Sequence, residues 1–261
     1  MIIDAIKKNV DKSSLSSEEA SQAMKEIMSG SATPSQMSAF LISLSMKGES
    51  TEEIIALAKT MKEFANRIRP AYDNRLIDIV GTGGDKIKTI NLSTISAFVL
   101  ASADVKVAKH GNRAATGKCG SADVLDRLGY KLDTKPKIVE ECIEKKGIGF
   151  MFAPVFHPAM KNVIGTRKEI GVKTIFNILG PLTNPADADS MIVGVANVGL
   201  IDKYAKILPE LGCKRAIIVH GMDGLDEIST FGETKMRFIG DLENQGEEIT
   251  VKPENFGLQK I

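Results

Sequence analysis

Beyond Pro70 the chain alternates short apolar runs with amphipathic stretches, and this alternation restricts the possible folds more than any other feature. A parallel strand pair needs a long connection across one sheet face, and a helix is the compact way to make it. Strands are predicted at 76–80, 105–108, 149–152, 191–195 and 216–219, with helices beginning near Ser93, Ser121, Pro136, Pro158 and Leu200. Pro209 falls late in the last helix and should kink or end it, because proline lacks the amide donor and crowds the preceding turn. Residues 235–239 and 248–251 read as a terminal hairpin. The expected class is α/β with a mostly parallel central sheet.

The first seventy residues follow a different rule and contain no strand signal. Ser16 and Glu19 have capping-box spacing, as do Ser50 and Glu53, so hydroxyl and carboxylate can satisfy amides that a first helical turn leaves unpaired. Thr33 caps a further helix with Pro34 at its first position, where the missing N–H costs nothing. Met37, Phe40, Leu41 and Leu44 recur at helical spacing, while Ile54, Leu57, Ala58 and Met61 continue a last helix toward Pro70. Residues 1–70 are therefore expected to form a small helical domain beside an α/β domain at 71–261. Its apolar faces exceed what so short a segment buries alone, which points to a dimer interface.

With 43% hydrophobic and 26% charged residues over 261 positions, the composition is that of a globular protein. A net charge of +1 exerts little long-range pull on nucleic acid or anionic membrane, so any anion site must be local. Cys119, Cys142 and Cys213 are too scattered for a disulfide framework or a metal knuckle, which suits a reducing cytoplasm. Asp4, Lys7 and Lys8 interrupt the N-terminus, and no apolar run approaches the roughly 18 residues of a membrane span.

The chemistry begins where the first strand ends, at Gly81-Thr82-Gly83-Gly84-Asp85. A strand that runs into glycines and then a helix brings backbone amides close to a phosphate, with the helix dipole adding favourable potential. The same pattern also makes a plain tight turn. Dinucleotide and Walker motifs are both missed, because Lys86 stands where a third glycine belongs and no Walker lysine follows. Next, Asn91-Leu92-Ser93-Thr94 places short polar groups at a helix start, where they can cap the helix, bind phosphate or ligate magnesium.

The second strand leads into Lys109-His110-Gly111-Asn112-Arg113, and small residues around Thr116, Gly117, Gly120 and Ser121 then open another helix. Two such loops at adjacent strand ends would face one crevice, the usual ligand position in open α/β sheets. Two phosphate cradles suggest a ligand with a monophosphate at one end and a pyrophosphate at the other. Asp226 and Glu227 follow the strand at 216–219, where they serve either as surface charge or as magnesium ligands.

Taken in order, Gly81–Asp85, Asn91–Thr94, Lys109–Arg113, Gly120-Ser121-Ala122-Asp123, His157-Pro158-Ala159-Met160-Lys161, Asn177–Pro185 and Gly224–Glu227 resemble the anthranilate phosphoribosyltransferase family of tryptophan biosynthesis. The resemblance runs along nearly the whole chain. It implies a homodimer formed through the helical domain, part of 158–185 joining that domain in space, and magnesium-dependent use of phosphoribosyl pyrophosphate with two ions expected.

Carried over by position, the resemblance sets the phosphoribosyl donor against Gly81, Gly84, Asp85, Thr89, Asn91, Leu92, Ser93, Thr94, Lys109, His110, Gly111, Asn112, Arg113, Ala114, Ala115, Thr116, Gly117 and Ser121. Ser93, Asp226 and Glu227 would hold the metal; Gly81, Asn112 and Arg167 would meet anthranilate; His110, His157 and Pro181 would line its channel. Arg167 supplies a fork suited to a carboxylate. The implied reaction is displacement of pyrophosphate at the ribose anomeric carbon by the anthranilate amine. Its lone pair is free at neutral pH, so positioning and charge stabilisation carry the burden, with His110 or His157 as a late proton acceptor.

Some residues depart from the family pattern. Ala114 to Gly117 lacks the serines common there, Lys86 and Lys88 replace frequent glycines, and Cys119 reads as a small packing residue. The family usually continues for several helices beyond residues 253–257, so the chain is expected to lack them. Two alternatives remain at this level. A pyrimidine nucleoside phosphorylase would share the fold but needs a substrate segment not found here, and a non-catalytic nucleic-acid binder would need a strongly basic surface.

Overall fold

The computed structural model describes residues 1–84, 90–114, 119–240 and 246–259. Four helices open the chain: α1 (Ile2–Val10), α2 (Ser17–Met28), α3 (Pro34–Lys47) and α4 (Thr51–Glu63). The last three start where their caps predict, with Ser16 and Glu19, Thr33 and Gln36, and Ser50 and Glu53 each making the reciprocal pair. Helix α1 has no such signal, since Met1 makes no side-chain cap, and it is held instead by burying Ile2, Ala5 and Asn9 against α3. Helix α4 stops at Glu63 instead of running on toward Pro70. Amides beyond it find remote partners: Asn66 donates to the Phe156 carbonyl at 2.8 Å and Ile68 to that of Pro185 at 3.1 Å.

The remaining elements are β1 (Leu76–Gly81), α5 (Leu92–Ser102), β2 (Lys106–Gly111), α6 (Ser121–Arg127), α7 (Pro136–Lys146), β3 (Ile148–Phe152), α8 (Ala153–Phe156), α9 (Lys161–Ile170), α10 (Phe176–Leu179), β4 (Ser190–Gly194), α11 (Leu200–Glu210), β5 (Arg215–Gly221), β6 (Thr234–Ile239) and β7 (Glu248–Val251). The helix expected near Pro158 begins as a 3-10 turn and becomes α-helical at Lys161. Pro209 lies in the final turn of α11, which ends at the next residue.

Among the described residues the seven strands form one sheet in the order β3-β2-β1-β4-β5-β6-β7. β1 to β5 run parallel, and the β6–β7 hairpin adds antiparallel strands at one edge. The chain leaves β1 toward β2 and β3, then returns to place β4 on the other side of β1. That reversal opens a crevice beyond the carboxyl ends of β1 and β4.

One apolar core joins the helical part to the sheet, with Phe40, Leu41, Leu44 and Leu57 packed into the same cluster as Val193, Tyr204, Ile207 and Ile218. Truncating a core leucine such as Leu44 to alanine is expected to cost about 2–5 kcal/mol. Helix α9 packs on α2 and α3, and Asn162 Nδ2 donates to the Met28 carbonyl at 2.8 Å. Asp187 pairs with both Lys62 and Arg67, tying the segment before β4 to the exit of α4.

Candidate active site

At the end of β1 the chain is fastened to β4. The Thr82 amide donates to the Gly194 carbonyl at 2.9 Å, and the Ala196 amide donates to Thr82 Oγ1 at 3.0 Å. Gly83 and Gly84 then adopt φ of +67° and +79°, a region in which a side chain would be strained. Asp226, delivered by the loop after β5, inserts between the two strand ends, and its Oδ2 accepts from the Gly83 amide at 2.8 Å. A Cβ on Gly81 would collide with the Asp226 carboxylate, and one on Gly194 with its carbonyl. The glycines thus serve close approach as well as turning. Lys173 crosses from the α9–α10 connection to reach the Gly84 carbonyl at 3.3 Å. Asp85 and Thr89, with Lys86 and Lys88, lie outside the described residues.

Beside this loop stands Lys109 on β2, only 3% exposed. Its Nζ donates to the Ile79 carbonyl at 2.6 Å and to Ser93 Oγ at 3.4 Å. Burial lowers its pKa, while the negative charges of Asp78 and Glu227 act to keep it protonated. Across from it the first turn of α5 carries Leu92, Ser93 and Thr94. Asn91 does not cap that turn through its side chain; its amide oxygen instead accepts from the Thr94 and Ser93 hydroxyls.

The second loop starts at Gly111 and Asn112, whose carbonyl accepts from the Ser121 hydroxyl at 3.4 Å. Asp123 clamps it from the first turn of α6, accepting from the Ala114 amide at 3.0 Å and the Gly120 amide at 2.8 Å. These bonds hold its carboxyl below the usual carboxylate range. Arg113 forks onto Asp123 and Asp126 at 2.8 Å each, so its guanidinium is engaged by α6 and not left open toward the crevice. Ala115, Thr116 and Gly117 fall outside the described residues. Cys119 is exposed, which corrects its expected packing role: the chain at the foot of α6 turns it outward. An open cavity of about 430 Å³ lies beside α6, lined by Arg113, Asp126, Tyr130 and Phe152, but it does not include the groups gathered at the switch point.

Two of the three buried histidines face each other, with ring centroids 5.0 Å apart and exposures of 5% for His110 and 3% for His157. Burial lowers the pKa of His110 to about 3 and that of His157 to about 4, so both rings are neutral near pH 7. The Gly180 backbone lies beside His110 and the Thr183 backbone beside His157, yet neither His157 nitrogen, nor Nε2 of His110, has a partner in hydrogen-bond geometry among the described residues. Pro181 is buried in the same 3-10 turn, Gly180–Thr183. Arg167, on α9, is half-buried with its guanidinium 5.3 Å from the Phe176 ring centroid. It has no carboxylate partner among the described residues, and burial lowers its pKa. His220 stands apart, its Nδ1 paired with the Val195 carbonyl at 2.6 Å.

The metal expectation fits the donors present. Among the described residues no three His, Cys, Asp or Glu side chains gather as a cluster. The crevice instead presents the adjacent carboxylates of Asp226 and Glu227 and, beside Lys109, the hydroxyl of Ser93. These are hard oxygen donors of the kind magnesium takes when water and substrate oxygens complete its shell.

One site residue lies outside the motif-based expectation. Asp78 is fully buried beneath the crevice, with its carboxylate bonded to the His110 amide at 3.2 Å and to Asn184 Nδ2 at 2.7 Å. Burial raises its pKa to about 6. A carboxylate inside the apolar strand Leu76-Ile77-Asp78-Ile79-Val80 is the signal that marks it.

Comparison with known proteins matches the same two-part plan. The Glycosyl transferase family, helical bundle domain, matches residues 3–65, and the Glycosyl transferase family, a/b domain, matches residues 73–261. Anthranilate phosphoribosyltransferase of Persephonella marina is 50% identical over 262 residues, covering 100% of this chain and 76% of that protein. The Methanocorpusculum labreanum enzyme of the same name is 51% identical over 260 residues, again covering 100% and 76%. Among solved structures, anthranilate phosphoribosyltransferase from Thermus thermophilus superposes with a TM-score of 0.91 at 43% identity, covering 99% of this chain and 76% of that one. The Saccharomyces cerevisiae enzyme in complex with PRPP and Mg does so at 0.90 with 29% identity, covering 100% and 75%. The chain belongs to the anthranilate phosphoribosyltransferase family.

Proposed function

We propose that this protein transfers the phosphoribosyl group of 5-phosphoribosyl 1-pyrophosphate to the amine of anthranilate, yielding N-(5-phosphoribosyl)anthranilate and pyrophosphate in tryptophan biosynthesis. The reading rests chiefly on one convergence: the glycine loop, the buried Lys109 ammonium and the Asp226–Glu227 segment meet at the carboxyl ends of β1, β2 and β5. The donor's phosphates would lie across the amides of the Gly81–Gly84 loop, the first turn of α5 and the loop clamped by Asp123. The magnesium-bound form of the yeast relative supports a metal here, and two ions held by Ser93, Asp226 and Glu227 would stabilise charge on the departing pyrophosphate.

Arg167 is suited to the anthranilate carboxylate, because a half-buried guanidinium without a carboxylate partner binds such a group through two parallel hydrogen bonds. Gly81 and Asn112 would border the same acceptor. The neutral imidazoles of His110 and His157 can accept a proton from the amine once the new C–N bond has formed. That nitrogen is strongly acidic when protonated, so weak bases suffice. Orientation of amine and anomeric carbon supplies most of the rate.

A homodimer through the helical part is supported by Ile3, Val10 and Met46, apolar residues left exposed on α1 and α3. A cytoplasmic location is supported by the three free cysteines, and no helix among the described residues is long and apolar enough to cross a membrane. The deciding experiment measures product formation from anthranilate and phosphoribosyl pyrophosphate, with and without magnesium. Turnover that requires both substrates and responds to the metal is expected; a folded sample without turnover refutes the reading. Replacing both Asp226 and Glu227 by alanine should abolish the metal response.

A further inference from the structure

Asn184 follows the Gly180–Thr183 turn and is 6% exposed, with every hydrogen-bonding atom of its amide engaged. Its Nδ2 donates to Asp78 Oδ2 at 2.7 Å and to the Ala108 carbonyl at 2.9 Å, and its Oδ1 accepts from the Ala186 amide at 2.8 Å. The other oxygen of Asp78 accepts from the His110 amide at 3.2 Å. One buried carboxylate and one buried amide therefore bridge three pieces of chain distant in sequence: β1, the end of β2, and the turn that backs both imidazoles.

We propose that the Asp78–Asn184 pair is a positioning link for phosphoribosyl transfer, setting the acceptor side of the crevice, at His157 and the Gly180–Thr183 turn behind it, against the donor side at Lys109, whose neighbours Ala108 and His110 the link holds. This rests on the proposed function, since it assigns donor and acceptor to those two sides. Packing alone does not call for the pair. A buried carboxylate loses its hydration, and apolar residues of similar volume would hold two strands together at least as well. Apolar residues cannot fix the direction of a neighbouring turn, whereas an amide with three directed bonds leaves it one orientation. The link touches neither substrate, so it acts on the distance and angle between them. A misplacement of about 1 Å is enough to lower the rate about 100-fold when reaction depends on alignment.

Steady-state kinetics of Asn184→Ala, Asp78→Asn and the exchanged pair Asp78→Asn with Asn184→Asp test the link, with active sites counted by titrating bound phosphoribosyl pyrophosphate. For the single variants kcat per binding site should fall about 10- to 100-fold while KM for phosphoribosyl pyrophosphate changes less than about twofold. The exchanged pair rebuilds one amide-to-carboxylate bond in reverse and should recover part of kcat. Asp78→Asn changes no volume, which keeps a folded variant available should Asn184→Ala fail to fold. A lowered Tm with kcat per site unchanged makes the pair structural only and overturns the proposal. So does an exchanged pair no better than the worse single variant. Absence of turnover in the unmodified protein fails the functional reading itself, a result distinct from either.

Discussion

The Gly83 amide donates to the Asp226 carboxylate at 2.8 Å, which joins the loop after β1 to the loop after β5 across the strand between them. The bond is possible because Gly194, at the end of β4, has no side chain: a Cβ there would overlap the Asp226 carbonyl. Gly194→Ala should therefore push the Asp226–Glu227 segment out of the crevice. Overpacking of this kind costs about 1–3 kcal/mol in stability. The larger expected effect is on the metal response, with the magnesium concentration for half-maximal rate rising at least about tenfold, an amount equal to 1.4 kcal/mol. A variant with a lower Tm but an unchanged magnesium curve contradicts this coupling.

Asp123 holds both ends of the second loop through the Ala114 and Gly120 amides. Hydrogen bonds to an ionised acceptor contribute about 1.5–3 kcal/mol each in favourable cases, less where water competes. Asp123→Ala should raise KM for phosphoribosyl pyrophosphate about tenfold and leave KM for anthranilate nearly unchanged, because only the donor side is loosened. Isothermal titration with each substrate separates the two. The variant also frees Arg113, now held by Asp126 alone, so a compensating gain in donor affinity would show that Arg113 can turn into the crevice.

Much of this architecture is legible in local chemistry, and the exceptions share one cause. Helix starts at Ser16, Thr33 and Ser50 are visible because a cap satisfies amides within three residues of itself. The end of α4 is not, because nothing near Glu63 stops a helix; the amides of Asn66 and Ile68 are drawn off by carbonyls far along the chain. The site divides in the same way. Gly81 to Gly84, Lys109 and Asp226 sit at or just beyond strand ends, and Ser93 at a helix start, positions that can be placed from the alternation alone. The partners that fix them, Asp78 with Asn184 and Gly194 with Asp226, are separated by long stretches of sequence and meet only after the sheet has formed. Arg113 shows the reverse case: a cation that looks available in sequence is occupied once α6 brings Asp123 and Asp126 alongside.

Arg167 lies over the Phe176 ring, half-buried and without a carboxylate partner among the described residues. Arg167→Ala should raise KM for anthranilate about 10- to 100-fold, the loss of about 1.5–3 kcal/mol expected for a charge-assisted pair, with KM for phosphoribosyl pyrophosphate little changed. Arg167→Lys restores the charge but not the fork and should recover only part of the loss. An anthranilate KM unchanged by the alanine substitution removes Arg167 from the acceptor site.

Acid should destabilise this fold earlier than ordinary carboxylates would, and the two histidines are the reason. Burial holds His110 and His157 neutral, with pKa lowered from 6.5 to about 3 and about 4, so the folded protein binds fewer protons than the unfolded chain once pH falls below 6.5. Stability then declines as pH drops, and goes on declining until the rings protonate in the folded state. Asp78 works in the opposite direction. Its pKa is raised from 3.8 to about 6 by burial, so the folded state takes up a proton before the unfolded chain does and gains stability as pH falls from 6 to 4. Two large downward shifts outweigh one upward shift, and Tm should fall steadily from pH 6.5 to pH 4.5. Measured by calorimetry over that range, His157→Gln should flatten the slope and Asp78→Asn should steepen it. Both variants should lower Tm at pH 7, so the comparison lies in the slopes: three parallel curves would mean that neither His157 nor Asp78 differs in protonation between the folded and unfolded states.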